Sequence, residues 1–291
     1  MSIEMKAHPA GRKKPFKLHI GTQIARLFLI IYAVFAVYPV FWTVMSSLKD
    51  NKTLFANIFG LPQKLNFQNY VSAWSKAKIS VYFFNTLFIT LGSLLLMIVL
   101  ASLTAYVLAR YKFKLNKFFT FMYISGLMIP GIAGIISLYI QLRFLNMVDS
   151  RGTMMLINAA NMMPFSVFVL ISFFKTIPKE IAEAGEIEGC NEFNLFTRVM
   201  LPLAKPGLIP VLIIQFMNCW SEVYFSLVIL HTDTKKTLQL GLMTMQKVEN
   251  QYADYVVLFA AVVIVMIPCL LLYAVFQKKI IDGINLGAVK G

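Results

Sequence analysis

Charged side chains are scarce in this chain. Only 14% of its 291 residues are Asp, Glu, Lys or Arg, whereas 58% are hydrophobic, and a typical soluble protein has about 25% charged residues. A soluble domain of this composition would lack the polar surface that contact with water requires. We therefore expect lipid to be the solvent for most of the chain.

Residues that bind metals or form disulfides are equally few. The three cysteines, Cys190, Cys219 and Cys269, are far apart and include no CxxC pair, and the three histidines do not cluster. This pattern excludes a disulfide framework and predicts no metal site. The chain also lacks a phosphate-binding GxxxxGKS or GxxxxGKT motif and any catalytic set of paired carboxylates or nucleophile and base. We expect no catalytic residue and no cofactor on this chain.

Long apolar runs are what the sequence has in abundance. A membrane-spanning helix needs about 20 mostly apolar residues, and six stretches meet that requirement. The first follows a basic segment, but it is too long for the apolar part of a signal peptide. The sequence predicts an all-α membrane protein with six transmembrane helices, at residues 27–45, 82–108, 118–140, 154–174, 208–230 and 255–276.

The net charge of +14 comes from basic residues between the apolar runs. This placement is typical of loops that flank membrane spans and does not indicate a nucleic-acid partner. With both termini inside, 17 of the 27 Lys and Arg residues lie on the cytoplasmic side. Since cytoplasmic loops carry the excess of Lys and Arg, we predict cytoplasmic termini, with a basic segment at 1–26 and a tail at 278–291.

Residues 175–207, between the fourth and fifth predicted spans, have the pattern of a helix, a break and a second helix. Pro178 suits a first helical turn, Gly189 can take the left-handed conformation that ends a helix, and Asn191 can cap the next one. We therefore expect a helical hairpin on the cytoplasmic surface, either lying flat at the membrane interface or docking a cytoplasmic partner. Its second helix has an apolar face at spacing i, i+3 and i+7, formed by Phe193, Phe196 and Met200.

This hairpin carries a motif, Glu183-Ala184-Gly185, then Gly189, then Val199 and Leu201-Pro202. The pattern resembles the EAA loop of binding-protein-dependent ABC importer permeases, with Gly185 in place of the usual Ala and Glu188 in place of Asp. Further segments resemble the carbohydrate-uptake branch of that family, including Trp220-Ser221-Glu222. The others are Asn85-Thr86, 105–110, 129–130, 145–150, 237–242 and the tail 287–291.

The resemblance implies a type I ABC importer transmembrane fold, with a permease domain at 82–277 that follows a first helix and outer loop at 27–81. It implies a multi-pass protein of the bacterial inner membrane that is not itself an enzyme. The implied partners are a second, non-identical permease, two copies of a cytoplasmic ATPase that hold ATP and Mg, an extracytoplasmic solute-binding protein and a sugar. Glycerol phosphate or another polar solute is the alternative substrate.

The resemblance also assigns three sets of contact residues. For the outer loop the alternative is an ordinary exposed loop without a partner, and for the tail it is a frayed terminus. The ATPase-coupling set is Glu180, Glu183, Ala184, Gly185, Glu188, Gly189, Phe193, Leu201 and Pro202. The binding-protein set is Lys236, Thr237, Leu238, Gln239, Leu240 and Gly241, and the tail set that reaches the ATPase is Gly287, Lys290 and Gly291.

Glu222 is the only carboxylate within a predicted span. An ionisable group inside a membrane is costly and is read first as functional. We expect Glu222, with Trp220 and Tyr224, to line the sugar path or its gate; a hydrogen bond to a neighbouring helix or to the partner permease is the alternative. A stand-alone secondary transporter would require several such carboxylates or an inverted repeat, so that class is disfavoured.

Overall fold

The computed structural model describes residues 20–249 and 254–288, and within these ranges the side chains of 20, 246–249 and 279–288 are not described. All regular elements in this part of the chain are helical. The α-helices are α1 Ile20–Ser47, α2 Asn51–Ala56, α3 Gln68–Val71, α4 Ile79–Arg110, α5 Asn116–Gly126, α6 Ile135–Phe144, α7 Arg151–Thr176, α8 Lys179–Ile187, α9 Glu192–Asn194, α10 Leu201–Leu203, α11 Lys205–Trp220, α12 Tyr224–Ile229, α13 Leu238–Glu249 and α14 Tyr255–Ala288.

Four of the described helices, α1, α4, α7 and α14, are long and apolar enough to cross a membrane. Two further spans arise if each of two bent pairs is counted as one, which brings the number to six. One pair joins α5 to α6 at 90°, and the other joins Glu192–Leu203 to α11 at 75°. The predicted all-helical, multi-span architecture is confirmed, and the side on which the termini lie stays a prediction.

Two predicted spans are not the continuous helices that the sequence analysis expected. Within 118–140, α5 ends at Gly126 and a 3₁₀ turn, Gly131–Gly134, precedes α6. Pro130 lies between them and has extended backbone. A regular helix is interrupted here because proline lacks the N–H that a continuing helix needs and its ring crowds the preceding turn. Within 208–230, α11 ends at Trp220, and a short connection leads to α12.

The main hydrophobic core lies along α4 and α7, which pack side by side. Met97, Ala101 and Ala105 of α4 are fully buried, as are Leu170 and Phe174 of α7. Small residues at such contacts allow helix backbones in a membrane to approach closely. The same core continues without interruption into the hairpin through Leu195, Phe196 and Met200.

A second core lies where α14 meets α4, α11 and α13. Ala260 and Ala261 of α14 are fully buried there, together with Trp220, Ile79 and Leu238. In contrast, α1 exposes its apolar side chains along almost its whole length. Such a helix is stable only in an apolar solvent, which fits the lipid environment that the composition predicts.

The loop between α1 and α4 shows how one lysine of the predicted outer side is accommodated. Lys49 is only 2% exposed, and its ammonium donates hydrogen bonds to the carbonyl oxygens of Asn57 and Ile58 at 3.1 and 3.0 Å. Burial lowers the pKa of Lys49 from its ordinary value. This lysine therefore acts as a structural donor within its loop and says little about the side of the membrane.

Candidate functional site

The hairpin turns at Gly189, as the sequence analysis expected. Gly189 has φ +82°, and its N–H donates to the carbonyl of Glu186, while the N–H of Cys190 donates to that of Gly185, both at 3.0 Å. These two bonds form a Schellman motif, which satisfies carbonyls that the helix end leaves free. The predicted cap at Asn191 is also confirmed, since its side chain accepts from the Asn194 N–H at 2.8 Å.

The apolar face predicted for the second helix of the hairpin is only partly correct. Phe196 and Met200 are buried, but Phe193 is 70% exposed. The reason is that Leu195–Met200 forms a π-helix, whose wider turn changes the angular position of successive side chains. Leu195 is the third buried member of this face, and it lies so close to Gly185 that a Cβ there would be 2.7 Å from Leu195 Cδ1.

The end of α4 holds the hairpin in place. Arg110 Nη2 donates to the carbonyl of Ile177 at 2.8 Å, and the Tyr111 hydroxyl donates to the carboxylate of Glu192. Burial raises the pKa of the Tyr111 hydroxyl, and the bond to Glu192 raises it further, so this hydroxyl stays a donor. The Tyr106 ring packs on Phe196 with the ring centres 5.2 Å apart. These contacts fasten the hairpin to the cytoplasmic-side end of α4 that the sequence analysis predicts.

The outer surface of the hairpin combines carboxylates with exposed apolar side chains. Ile187 at its tip is 87% exposed, and a cavity of about 530 Å³ separates α8 from the end of α4. Among the predicted coupling residues, Gly185 is buried and Leu201 is half-buried. The remaining seven are exposed: Glu180, Glu183, Ala184, Glu188, Gly189, Phe193 and Pro202.

Glu222 lies in the break between α11 and α12 and caps α12. One carboxylate oxygen accepts from the Phe225 N–H at 2.6 Å, and the other accepts from the Ser226 N–H at 3.2 Å and the Ser226 hydroxyl at 2.7 Å. A carboxylate at a helix N-terminus satisfies free N–H groups and is stabilised by them. The bonds within the chain thus go to α12, the next helix along the chain, and the role of Glu222 in a sugar path stays a prediction.

Beside Glu222 is a cavity of about 290 Å³, which we call the amide cavity. Four amide side chains line it, in pairs three residues apart on α7 and α11: Asn158 with Asn161, and Gln215 with Asn218. Residues at this spacing share one face of a helix. The sequence analysis missed these residues, although two polar i, i+3 pairs inside apolar spans were a readable signal.

The structure brings together only two of the three predicted path residues. Tyr224 lines the amide cavity with Glu222 and is 60% exposed. Trp220 is 1% exposed, stacks on Phe216 with ring centres 5.4 Å apart, and donates from Nε1 to the carbonyl of Val265 at 3.1 Å. Trp220 therefore belongs to the packing between α11 and α14.

The described residues contain no group of three or more His, Cys, Asp or Glu side chains that could hold a metal ion. In the amide cavity the one carboxylate, that of Glu222, already accepts three hydrogen bonds. The cavity therefore presents amide groups, which can both donate and accept hydrogen bonds, beside a carboxylate that is already engaged.

The loop after α12 is tied to the start of α7 by Asp149. Its carboxylate accepts from the backbone N–H groups of His231 and Thr232, both at 3.0 Å, and from the Lys235 ammonium at 2.8 Å. Burial alone would raise the pKa of Asp149, but the bonds from Lys235, Thr232 and His231 hold it well below its usual range. Asp149 itself has φ +57°, so the strained backbone and the carboxylate position the loop together.

A second carboxylate, Asp233, ties the same loop to the start of α4. It accepts from Lys78 at 2.7 Å, Lys236 at 3.1 Å and the Tyr82 hydroxyl at 3.0 Å. The bonds from Lys78 and Lys236 lower the pKa of Asp233 to about 2. Asn85 adds bonds from its amide nitrogen to the carbonyls of Thr234 and Lys236. The loop, residues 231–241, is thus a strap bonded to the ends of both α4 and α7.

These bonds leave only some of the predicted binding-protein contacts accessible to a partner. Lys236 and Gln239 are half-buried and reachable, whereas Thr237, Leu238, Leu240 and Gly241 are buried. The N–H of Leu238 donates to the Thr86 hydroxyl at 2.7 Å, and Gly241 lies against the Tyr82 ring, so both residues hold the strap to α4. Of the predicted tail contacts, Gly287 lies in α14, and Lys290 and Gly291 lie outside the described residues.

Comparison with known proteins identifies the relatives of this chain. It is 34% identical to the diacetylchitobiose uptake system permease protein NgcG of Streptomyces coelicolor, over 92% of this chain and 88% of that protein. It is 32% identical to the melibiose/raffinose/stachyose import permease protein MelC of Bacillus subtilis, over 93% of this chain and 98% of that protein.

Solved structures share the fold. A chain of a bacterial ABC transporter involved in the import of the acidic polysaccharide alginate superposes with a TM-score of 0.81, at 23% identity, over 91% of this chain and 99% of that chain. A second, in which the alginate ABC transporter is in complex with an alginate pentasaccharide-bound periplasmic protein, gives a TM-score of 0.63 at 15% identity, over 90% of this chain and 95% of that chain.

Residues 97–285 match the family described as the binding-protein-dependent transport system inner membrane component. This region contains the hairpin, the amide cavity and the strap. The match confirms the resemblance stated from the motifs and a location in the bacterial inner membrane, which the long apolar helices also require. The chain therefore belongs to the inner-membrane permease family of binding-protein-dependent ABC importers.

Proposed function

We propose that this chain is one of two permease subunits in an ATP-driven importer of a sugar or oligosaccharide. The observation that carries the proposal is the hairpin at 175–207, which presents an exposed acidic and apolar surface and is bonded directly to the end of a spanning helix. Such an element can receive a force from a cytoplasmic partner and pass it to the transmembrane helices.

The coupling partner in this proposal is a separate ATPase, present in two copies that hold ATP and Mg. Glu180, Glu183 and Glu188 offer charge, and Ile187 and Phe193 offer apolar surface that would otherwise face water. Exposed apolar residues rimmed by charge are typical of protein docking sites. Closure of the ATPase pair would favour one conformation of the permease over the other, since a ligand shifts an equilibrium only by binding one state better.

A sugar substrate is supported by the relatives. Their names refer to uptake of diacetylchitobiose, of melibiose, raffinose and stachyose, and of arabinooligosaccharides. The same architecture for glycerol phosphate or another polar solute is the alternative. In this proposal the solute pathway lies at the interface with a second permease and passes Glu222 and Tyr224. Trp220 instead packs α11 against α14 behind these two residues.

The strap at 231–241 is proposed to face an extracytoplasmic solute-binding protein. Its exposed part includes His231, Thr232 and Thr234, with Lys236 and Gln239 partly accessible. Because Asp149 and Asp233 fasten it to α7 and α4, a docking event there would act directly on the two helices that form the main core.

A pull-down of the detergent-solubilised complex tests the proposal. We expect an ATPase and a second permease to co-purify with the tagged wild-type chain. Glu183→Lys should reduce the bound ATPase by roughly tenfold, the effect of losing one well-placed charged contact at an interface, and should leave the second permease bound. Lys64→Glu, an exposed charge reversal in the loop before α4, is the matched control.

Two results would refute the assignment. The first is recovery of the chain with neither partner from membranes that express the whole transport system. The second is solute accumulation by the lone chain in proteoliposomes without ATP, driven by an ion gradient, which would establish a secondary transporter.

A further inference from the structure

We propose that the amide cavity is a subsite for one uncharged sugar unit of the transported solute, so that this subunit touches the substrate itself. The inference rests on the proposed function and adds the place and the chemistry of recognition. The cavity lies between α7 and α11, beside the α5–α6 break within a bent candidate span and beside the α11–α12 break that follows Trp220.

The location is suited to a substrate path. Asn158 and Asn161 lie roughly 10 and 15 Å from the start of α7, at 1.5 Å per residue. The wall opposite is formed by Gly131 and Ile132 of the α5–α6 break and by Glu222 and Phe225 beside the α11–α12 break. Irregular backbone at membrane depth is tolerated where it is buried in protein or lines a polar cavity.

A close backbone approach shapes one side of the cavity. A Cβ on Gly131 would lie 2.6 Å from Asn161 Oδ1, so the absence of a side chain at 131 lets the bent segment rest against the Asn161 amide. The α5–α6 break therefore contacts α7 at the cavity wall, and a Cβ on Gly131 would also lie 3.7 Å from Phe225 Cζ, beside the α11–α12 break. A shift of the bent segment would change the shape that a ligand meets.

The amides are held in fixed orientations by bonds within the protein. Asn158 donates to Cys219 Sγ at 3.2 Å, Asn161 to the Ile157 carbonyl at 3.0 Å, and Asn218 to Gln215 Oε1 at 3.1 Å. The side-chain oxygens of Asn158, Asn161 and Asn218 accept no hydrogen bond from the part of the protein that the structure describes. None of the three belongs to the buried polar atoms that lack a partner. They are available as acceptors for hydroxyl or amide N–H donors of a ligand.

The charge of the lining selects against anions. The described lining contains no Lys, Arg or His side chain, and its one carboxylate is that of Glu222. A phosphate or carboxylate group would meet the Glu222 carboxylate and would find no cation to offset its desolvation. A sugar with free hydroxyl or acetamido groups supplies donors for the asparagine oxygens and can accept from the second N–H of each asparagine amide.

The size and the aromatic rim fit a single ring. A volume of about 290 Å³ is at the lower end of the range of about 300–1,000 Å³ that small-molecule sites span. Tyr224 and Phe225 line the cavity beside Glu222, and Tyr224 is exposed, so an aromatic face is available for the apolar side of a sugar ring.

The test is uptake by the complete transporter, with its ATPase, second permease and binding protein, in proteoliposomes. The probes are radiolabelled raffinose, diacetylchitobiose and arabinotriose as neutral sugars, with glycerol phosphate and an alginate trisaccharide as anions. We expect accumulation of at least one neutral sugar and of neither anion. Asn161→Leu and Asn218→Leu should each lower that uptake by about tenfold or more, since a site built to bond a hydroxyl discriminates strongly.

Two readouts separate loss of recognition from loss of assembly. The ATPase and the second permease should co-purify with both variants in wild-type amounts, because the amide cavity shares no lining residue with the cavity beside the coupling hairpin. Gln141→Leu, which removes an exposed amide on α6 outside the cavity, should transport normally.

Unchanged uptake and unchanged KM in Asn161→Leu and Asn218→Leu, in assembled complexes, would overturn the subsite while leaving the proposed function intact. Accumulation of glycerol phosphate or the alginate trisaccharide in preference to the neutral sugars would also overturn it. A wild-type chain that recruits no ATPase would instead refute the proposed function, and the subsite with it.

Discussion

At the level of single residues, Gly189 has the most demanding backbone in the hairpin. Its φ of +82° is unfavourable for residues with a side chain, yet an added Cβ would meet nothing within 4 Å. Gly189→Ala should therefore cost roughly 1–2 kcal/mol through the backbone alone. We expect faster hydrogen exchange of the amides at 186–190 and reduced ATPase co-purification.

Gly189→Asn is the matched variant, because asparagine tolerates the left-handed region better than alanine does. We expect it to recover part of the protection and part of the bound ATPase. Equal damage by Asn and Ala would contradict the backbone explanation and point to a direct contact of the glycine with the partner.

Gly185 is constrained by a neighbour and not by its backbone. The Cβ of an alanine would be 2.7 Å from Leu195 Cδ1, which is the end of a flexible side chain. We expect Gly185→Ala to lower the unfolding temperature of the purified complex slightly and Gly185→Leu to lower it more, since overpacking costs about 1–3 kcal/mol.

Leu195→Ala makes space at the same contact, so Gly185→Ala with Leu195→Ala should be more stable than the sum of the two single changes predicts. Additive effects in that double-mutant cycle would show that the two positions do not oppose each other and would refute the steric account.

At the level of elements, the strap is fastened by carboxylates whose pKa values lie below the usual range. For Asp233 the pKa falls from 3.8 to about 2 on folding. Its stabilising effect is therefore complete above about pH 4 and is lost as the pH falls through about 2. Asp233→Asn should lower the unfolding temperature at neutral pH, and the gap to wild type should narrow below about pH 4.

The expected shift is only a few degrees, because the carboxylate is 44% exposed and exposed ion pairs contribute little. Lys78→Gln removes the same bond from the other partner and should show the same pH dependence. A gap that stays constant down to about pH 2 would mean that the Asp233 charge does not fasten the strap.

At the level of the whole molecule, the predicted orientation places the hairpin inside and the strap outside. Ile187 and Thr234 are both exposed, so cysteines placed there report the two sides. In a chain with Cys190, Cys219 and Cys269 replaced by serine, we expect a membrane-impermeant maleimide to label Thr234→Cys in intact spheroplasts. Ile187→Cys should react only in inverted vesicles.

Labelling of Ile187→Cys in intact spheroplasts would show that the hairpin lies outside, opposite to the predicted topology, and would remove the basis for ATPase docking. The cysteine-free parent, treated with the same maleimide in both preparations, gives the background labelling. The result also decides whether the overall excess of Lys and Arg on one side predicts the topology correctly despite the several lysines in the loop before α4. One of these, Lys49, is buried and donates to backbone carbonyls.

Features set by near neighbours in the chain could be predicted from sequence. The lengths of the apolar runs predicted the spans, and the Gly189 turn and the Asn191 cap were correct because each depends on bonds within a few residues. Family membership was equally accessible, since the hairpin motif is contiguous. Phe193 shows where this local reasoning stopped: the π-helical turn at Leu195–Met200 moved it off the predicted face.

The partners of polar and aromatic side chains depended on how distant helices pack. Trp220, Glu222 and Tyr224 are close in sequence, yet α14 buries the first, while the break after α11 leaves the other two at a cavity. That cavity joins residues about 60 positions apart, such as Asn158 and Asn218. Hydropathy and local motifs report what each segment prefers, but only the assembled helices determine which faces meet, because packing between distant segments supplies those contacts.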